Sequence, residues 1–260
     1  MELVDIALTR DVAATIDRCE LSFAEREPID VSRAVAQHRD YCERLERAGL
    51  EVERLPADPD CPDCCFVEDT AVVLDQVAVV TVPGAEARRA ETPVVAQALA
   101  RHRRVERMTP PATLDGGDVL ALGRRLFVGR TARSNDAGRA FLAAVVAPFG
   151  YDVTPVDVRG CLHLKSAVTA LDEETLVGNP DWFDVAALTG YRLVAVDPSE
   201  PAAGNVLRVR DRVWAHAGFP RTLDRLEREG HRVEPVDVSE FVKAEAGLTC
   251  KSLLLRRVPG

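Results

Sequence analysis

Asp69, Asp115, His163 and Cys250 are the residues of this sequence whose types combine into a chemistry. A thiol is a nucleophile only as its thiolate, and a nearby imidazole can raise the thiolate fraction and later protonate a departing amine. Two carboxylates in a partly dry pocket repel each other, and a bound planar cation relieves that repulsion through charge-assisted hydrogen bonds. The set therefore asks for a guanidinium or an amidine, whose central carbon is an electrophile that a thiolate can attack. Carboxylates cannot stabilise an oxyanion, which counts against amide or ester hydrolysis. Each residue alone has a plainer reading. Cys250 could be a core cysteine and His163 a structural histidine. Asp115 precedes Gly116–Gly117, as a turn residue does, and Asp69 with Glu68 could be a charge pair at a strand start.

Their place in a repeat joins them. At positions 69, 115, 163, 205 and 250 an Asp, Asp, His, Asn or Cys precedes a β-rich run, at intervals of 46, 48, 42 and 45 residues. The runs are TAVVLDQVAVVTV, GGDVLALGRRLFVG, LKSAVTALDEETLVGN, VLRVRDRVWAHAG and KSLLLRR, and polar breaks split the first four into hairpins. The last has the N-terminal ELVDIALTR as its natural partner. Amphipathic stretches at Val31 to Leu50, Glu86 to His102, Asp136 to Phe149, Pro180 to Leu188 and Pro220 to Glu229 predict helices, the first with Asp30 as N-cap. A short strand follows each, from 51, 105, 152, 192 and 232, with Pro marking its end or an edge position.

Five similar units that close N-terminus on C-terminus predict a radial arrangement. A solenoid would need polar end caps, and an open α/β sheet is the plainer alternative. In a closed ring the strand starts meet at one mouth, which brings the Asp, Asp, His and Cys together.

Composition sets the outer bounds. The 260 residues are 47% hydrophobic and 29% charged with a net charge of -9, as in a soluble globular chain. They are expected to form one catalytic domain spanning 1–260. Basic residues form no stripe, so nucleic acid is not an expected partner. There is no membrane-length apolar run and no signal peptide, so a cytoplasmic location is expected. The seven cysteines suggest reduced thiols. Cys61, Cys64 and Cys65 look like half of a zinc site, but no second pair completes it, so no metal is expected. Cys161 is expected to be structural.

The segments DCCFVEDTAVV, PGAEARRAET, TLDGGDVL, GRTARSN, CLHLKSAV and GLTCKSLLL resemble those of the dimethylarginine dimethylaminohydrolase family, across nearly the whole chain. The resemblance implies an α/β fold, a five-unit propeller of ββαβ repeats with pseudo-fivefold symmetry. It implies hydrolysis of dimethyl- or monomethylarginine to citrulline and an amine, with no cofactor and a small-molecule partner; a homodimer is expected by analogy. On this resemblance Cys250 forms a covalent adduct, His163 protonates the amine and then activates water, and Asp115 orients His163. Asp69 grips the guanidinium, and Asp63 and Glu68 lie near the α-amino end or support the pocket. Arg88 and Arg133 hold the α-carboxylate; periodicity alone does not choose between Arg88 and Arg89. Leu21 sits on an N-terminal lid (Asp17 to Pro28), and Ala244 offers its carbonyl. Val82 and Gly204 depart from the family pattern, and the lid is its least matched part. The rival readings are an arginine deiminase-like hydrolase, an amidinotransferase, an agmatine-type enzyme and a non-enzymatic propeller that binds the ribosome.

Overall fold

The computed structural model describes residues 4–257. Its fifteen strands, in chain order, are β1 (Ile6–Arg10), β2 (Glu51–Leu55), β3 (Ala71–Val73), β4 (Val77–Val80), β5 (Arg104–Arg107), β6 (Val119–Leu122), β7 (Arg125–Arg130), β8 (Asp152–Asp157), β9 (Val168–Ala170), β10 (Thr175–Gly178), β11 (Arg192–Ala195), β12 (Leu207–Val209), β13 (Arg212–His216), β14 (Val233–Val236) and β15 (Leu253–Leu255). They form five three-stranded sheets. In each, two strands pair antiparallel and the third lies parallel to the middle one, as in β3-β4-β5 and β6-β7-β8. A tight turn can join an antiparallel pair, but a parallel neighbour needs a crossover. The crossovers are α1 (Val31–Arg47), α2 (Thr92–Leu99), α3 (Asp136–Val146) and, in the last unit, α5 (Pro220–Arg228). Pro155 and Pro235 stand in β8 and β14, the edge strands, where no outward N–H is needed.

The sheet β15-β1-β2 joins the two ends of the chain, with Ile6 opposite Leu255 and Leu8 opposite Leu253. Glu2 and Leu3 of the expected first strand lie outside the described residues.

Strand periodicity explains the ring. Alternate side chains of a strand point to opposite faces, so each middle strand feeds two cores. Ala78 and Val80 enter the cluster shared with Leu8 and Leu253, while Val77 and Val79 enter the one shared with Leu126 and Val128. Phe127 turns the other way, to Val168 and Leu176, and Val177 turns to Val213 and Ala215. Trp214 packs with Ala7, Tyr41 and Leu45, so the last sheet meets the first. Apolar clusters therefore lie between every pair of consecutive sheets, including last and first, as a closed five-unit α/β propeller requires.

Three helix expectations are corrected. Pro93 interrupts the stretch 86–102: residues Glu86–Glu91 form a 3-10 helix, and α2 begins at Thr92 with the proline in its first turn. In the stretch 136–149, α3 ends at Val146 and Ala147–Phe149, which contains Pro148, finishes as a 3-10 turn. The stretch 180–188 makes only a 3-10 turn, Val185–Leu188. Its first residues bond instead to the preceding unit, through Arg159 N to Trp182 O and Asp184 N to Asp157 O. Among the described residues no helix is long and apolar enough to cross a membrane.

Candidate active site

The candidate residues do not open strands directly, as the sequence suggested. A single helical turn intervenes before four of the five first strands. Asp69 lies in the turn Val67–Thr70 before β3, and Asp115 caps the turn Gly116–Asp118 before β6. His163 precedes the short helix α4 (Leu164–Ala167) before β9, and Cys250 lies in the turn Thr249–Lys251 before β15. The first N–H groups of a helical turn have no partner within it, and here the neighbouring unit supplies one. Gly117 N donates to Asp69 Oδ1 at 3.0 Å, and Leu164 N to Asp118 Oδ1 at 3.0 Å. Leu248 N and Thr249 N donate to Asn205 Oδ1 at 2.7 and 3.2 Å. Three of these turns are thus capped by a polar residue of the preceding unit, and this lock converges the side chains.

His163 is held between two acids. Its Nε2 is 3.0 Å from Asp115 Oδ2, and its Nδ1 is 3.8 Å from Asp69 Oδ1. Burial pushes the imidazole down, but Asp69 and the hydrogen bond to Asp115 outweigh it and raise it to about 9. Burial likewise pushes Asp69 up, but the His163 and Arg88 cations hold it at about 2. Asp115 is itself fixed by Gly84 N at 2.8 Å and by its own N–H on Ser134 Oγ at 3.2 Å.

Cys250 receives Gly247 N at 3.4 Å on its sulfur. Burial, then the Glu68 and Asp69 carboxylates, push its thiol up to about 12. In this state the thiol is protonated at neutral pH. Two of the three causes are negative charges that a bound cation would offset.

The other expected residues separate by what they touch. Asp63, Arg88, Arg133 and Ala244 line one small cavity with Asp69, His163 and Cys250. Arg88 is buried and engaged: it bonds Asp69 Oδ2 at 2.5 Å, both oxygens of Glu91 at 3.1 and 2.8 Å, and Phe66 O at 3.0 Å. Arg133 lies 4.0 Å from Asp115 and donates to Ser22 Oγ at 3.0 Å. Asp63 accepts Glu20 N at 3.1 Å, and burial raises its carboxyl. Glu68 does not line the cavity; it takes Lys165 Nζ at 2.5 Å and Thr249 Oγ1 at 2.7 Å. Leu21 packs against the core between the last and first sheets.

The cavity holds about 20 Å³, room for one water. A larger, mostly apolar cavity of about 280 Å³ lies beside it, with Cys161, Trp182 and Phe219 in its lining. The two share Leu162, Glu245 and Ala246. The larger one contains neither Cys250 nor His163 and no buried carboxylate pair, so we assign the chemistry to the smaller. Asp69, Asp115 and His163 present donor atoms within 4.8 Å of one another, but with its imidazole raised to about 9 the His163 cation already sits between the two carboxylates and would have to lose its proton to ligate a metal ion. Cys61 and Cys64 instead form a small apolar cluster with Ala13. Cys161 is buried and donates to His163 O at 3.4 Å.

Sequence reasoning missed the supports. Asp118 takes Thr131 and Ser134 hydroxyls, both at 2.5 Å, besides Leu164 N, and so ties Asp115 to His163. Asn205 also donates to Lys165 O at 2.9 Å, bridging the His163 unit to the Cys250 turn. Its position in the repeat was the available signal. Gly117 is a third: a Cβ there would stand 2.7 Å from both Asp69 Oδ1 and His163 Nδ1. Gly117→Ala is therefore expected to displace both groups and lower turnover about 100-fold, the scale of a 1 Å misplacement. Citrulline formation under saturating substrate checks this.

A five-unit propeller that gathers a thiol, an imidazole and two carboxylates at one mouth belongs to the class of guanidine-modifying hydrolases. No protein-family model matches the chain. The N(G),N(G)-dimethylarginine dimethylaminohydrolase of Streptomyces coelicolor is 42% identical over 253 residues, 97% of each chain. The enzyme of that name from Pseudomonas aeruginosa, solved as a cysteine-to-serine variant with citrulline, superposes with a TM-score of 0.92 at 28% identity, covering 98% of this chain and 100% of that one. A histidine-to-glycine dimethylarginine dimethylaminohydrolase carrying an adduct with S-methyl-L-thiocitrulline superposes at 0.93 with 29% identity, covering 97% and 100%. The chain belongs to the dimethylarginine dimethylaminohydrolase family.

Proposed function

We propose that this chain hydrolyses N-methylated L-arginine to citrulline and dimethylamine or methylamine, as a single catalytic domain acting in the cytoplasm. A homodimer is proposed only by analogy with similar folds. The substrate guanidinium settles against Asp69, with Asp115 holding His163 behind it, and its charge favours loss of the Cys250 thiol proton to solvent, which leaves the thiolate. The sulfur attacks the central carbon. His163 gives its proton to the substituted nitrogen, and the C–N bond breaks to leave a thiouronium on Cys250. The now neutral His163 takes a proton from water, whose oxygen attacks the same carbon, and the C–S bond breaks to release citrulline. Arg133 and Asp63 would take the α-carboxylate and α-ammonium, and the Ala244 carbonyl would add a contact at the amino-acid end. Glu68, bonded to Lys165 and Thr249, supports the Cys250 turn, and Arg88 acts through Asp69 as much as on substrate.

The observation that carries this reading is the shared cavity: Cys250, His163 and Asp69 line one small space, with His163 bonded to Asp115. A citrulline assay over asymmetric dimethylarginine, monomethylarginine, arginine and agmatine tests it. Turnover of the two methylated arginines is expected, with little from arginine and none from agmatine, which has no carboxylate for Arg133. Turnover of arginine alone would contradict the substrate assignment.

A further inference from the structure

Segment 19–28 borders the candidate cavity through Glu20 and the larger cavity beside it through Phe23 and Ala24, with almost no apolar anchorage at its tip. Phe23 is 61% exposed, and beyond Cys19, buried at the segment's base, only Leu21 packs against the core. Polar ties hold the segment instead. Glu20 N donates to Asp63, and Arg133 donates to Ser22 Oγ. Arg26 ties the base of the segment internally, to Asp17 O and Cys19 O, both at 2.6 Å. The densest tie runs to the other end of the chain. Ser22 N donates to Glu245 Oε2 at 2.9 Å, Phe23 N to Glu245 Oε1 at 2.5 Å, and Ala24 N to the same oxygen. Three successive N–H groups converging on one carboxylate form a small anion nest, and bonds to a charged acceptor are the stronger kind.

Glu245 adopts φ 56, a conformation uncommon for a residue with a Cβ. This backbone aims the side chain at the segment from a loop that also carries Ala244 and Ala246, which line the cavity with Cys250. The ties differ in what substrate does to them. Asp63 and Arg133 are the groups proposed to take the amino-acid end of a substrate, so their bonds to the segment change when it enters. The Glu245 bonds involve no such group. The cavity has room for about one water, so it must widen to admit an arginine, and lifting the segment that carries Glu20 widens it.

We propose that Glu245 is the clasp of this strap: its carboxylate, seated in the N–H nest of residues 22–24, sets how often the cavity opens and holds the strap shut over bound substrate. It is a positioning residue that acts through the strap. The inference rests on Cys250 lying in the cavity that the strap borders through Glu20, the same site as the proposed function.

The test reads access to Cys250 without needing turnover. The free protein is treated with iodoacetamide at fixed pH, and alkylation is followed on the tryptic peptide 244–251 by mass spectrometry. Glu245→Ala is expected to speed alkylation at least about ten-fold through loss of three charge-assisted bonds, with the melting temperature unchanged. Glu245→Gln, which keeps the length and one acceptor oxygen, is expected to fall between. Ala24→Pro removes a donor of the same nest; it should speed alkylation in the parent protein and add nothing in the Glu245→Ala background, as coupled partners do. The KM for methylated arginine should rise more than kcat falls. Unchanged alkylation in Glu245→Ala overturns the proposal, as does faster alkylation accompanied by a matching loss of thermal stability, or full additivity with Ala24→Pro. If methylarginine is not turned over at all, the alkylation arms still decide the clasp.

Discussion

Cys250→Ser is expected to lower hydrolysis of dimethylarginine by about 10⁴-fold or more, because an alcohol in the same place is a far weaker nucleophile and no remaining group replaces it. The fold should be unaffected, since the smaller oxygen introduces no clash and the Gly247 N–H can bond either atom. Measured kcat and melting temperature check the two halves of that statement. The pH dependence is more specific. With the free thiol pushed up to about 12 by burial and by Glu68 and Asp69, alkylation of the ligand-free protein should still be climbing at pH 10, with no plateau near the ordinary cysteine value. Turnover should not need such alkaline conditions, because the substrate brings the positive charge that offsets those two carboxylates. A plateau in free-protein alkylation near pH 8 would show that the thiolate is already formed and would remove the need for activation by substrate.

His163→Ala should lower dimethylarginine turnover by about 10²–10⁴-fold, the usual span for general acid–base catalysis. The pattern across substrates carries more than the number. Dimethylamine is a poor leaving group unless protonated, whereas a thiolate leaves without a proton. S-Methyl-L-thiocitrulline should therefore still form the thiouronium on Cys250 in His163→Ala and release methanethiol once. The adduct should then persist, because no base remains to activate water. Equal loss on both substrates in the first step would mean that His163 acts by holding the site together. A second consequence concerns stability. His163 has a raised value in the folded protein, about 9 against an ordinary 6.5. Its protonated form between Asp69 and Asp115 therefore contributes stability that is fully present below pH 6.5 and is lost as pH rises through 9. The wild-type melting temperature should fall over that window, and His163→Ala should lack that part of the fall.

The five-unit ring was legible because two periodicities coincide: the interval between the chemistry-bearing residues, and the alternation that sends Val77 and Ala78, or Leu126 and Phe127, into different cores. The pairing of β15 with β1 followed from the leftover strands at the two ends. Less legible was what stood between each polar residue and its strand. A single helical turn is too short to show a period, so the turns before β3, β6, β9 and β15 were invisible, and so was the capping role of Asp118 and Asn205 at the last two of them. The helix expected at 180–188 failed because its backbone is spent on tertiary bonds to Asp157 and Arg159, which no local pattern announces. Among the site residues, type and position in the repeat pointed to Asp69, Asp115, His163 and Cys250. The partners of Arg88 and Glu68 needed coordinates. Arg88 has its guanidinium wrapped by Asp69, Glu91 and the Phe66 carbonyl, and Glu68 is sequestered by Lys165 and Thr249.

The claim on which everything else depends is that the sulfur of residue 250 bonds to the guanidinium carbon while the substituted nitrogen leaves. Rapid-quench mass spectrometry of the tryptic peptide 244–251 tests it directly, with dimethylarginine and monomethylarginine in parallel. Because the methylated nitrogen departs as the tetrahedral intermediate collapses to the thiouronium, both substrates should give one adduct of identical mass on Cys250. Adducts that differ by a methyl group, an adduct on another cysteine, or none during steady turnover would contradict the account.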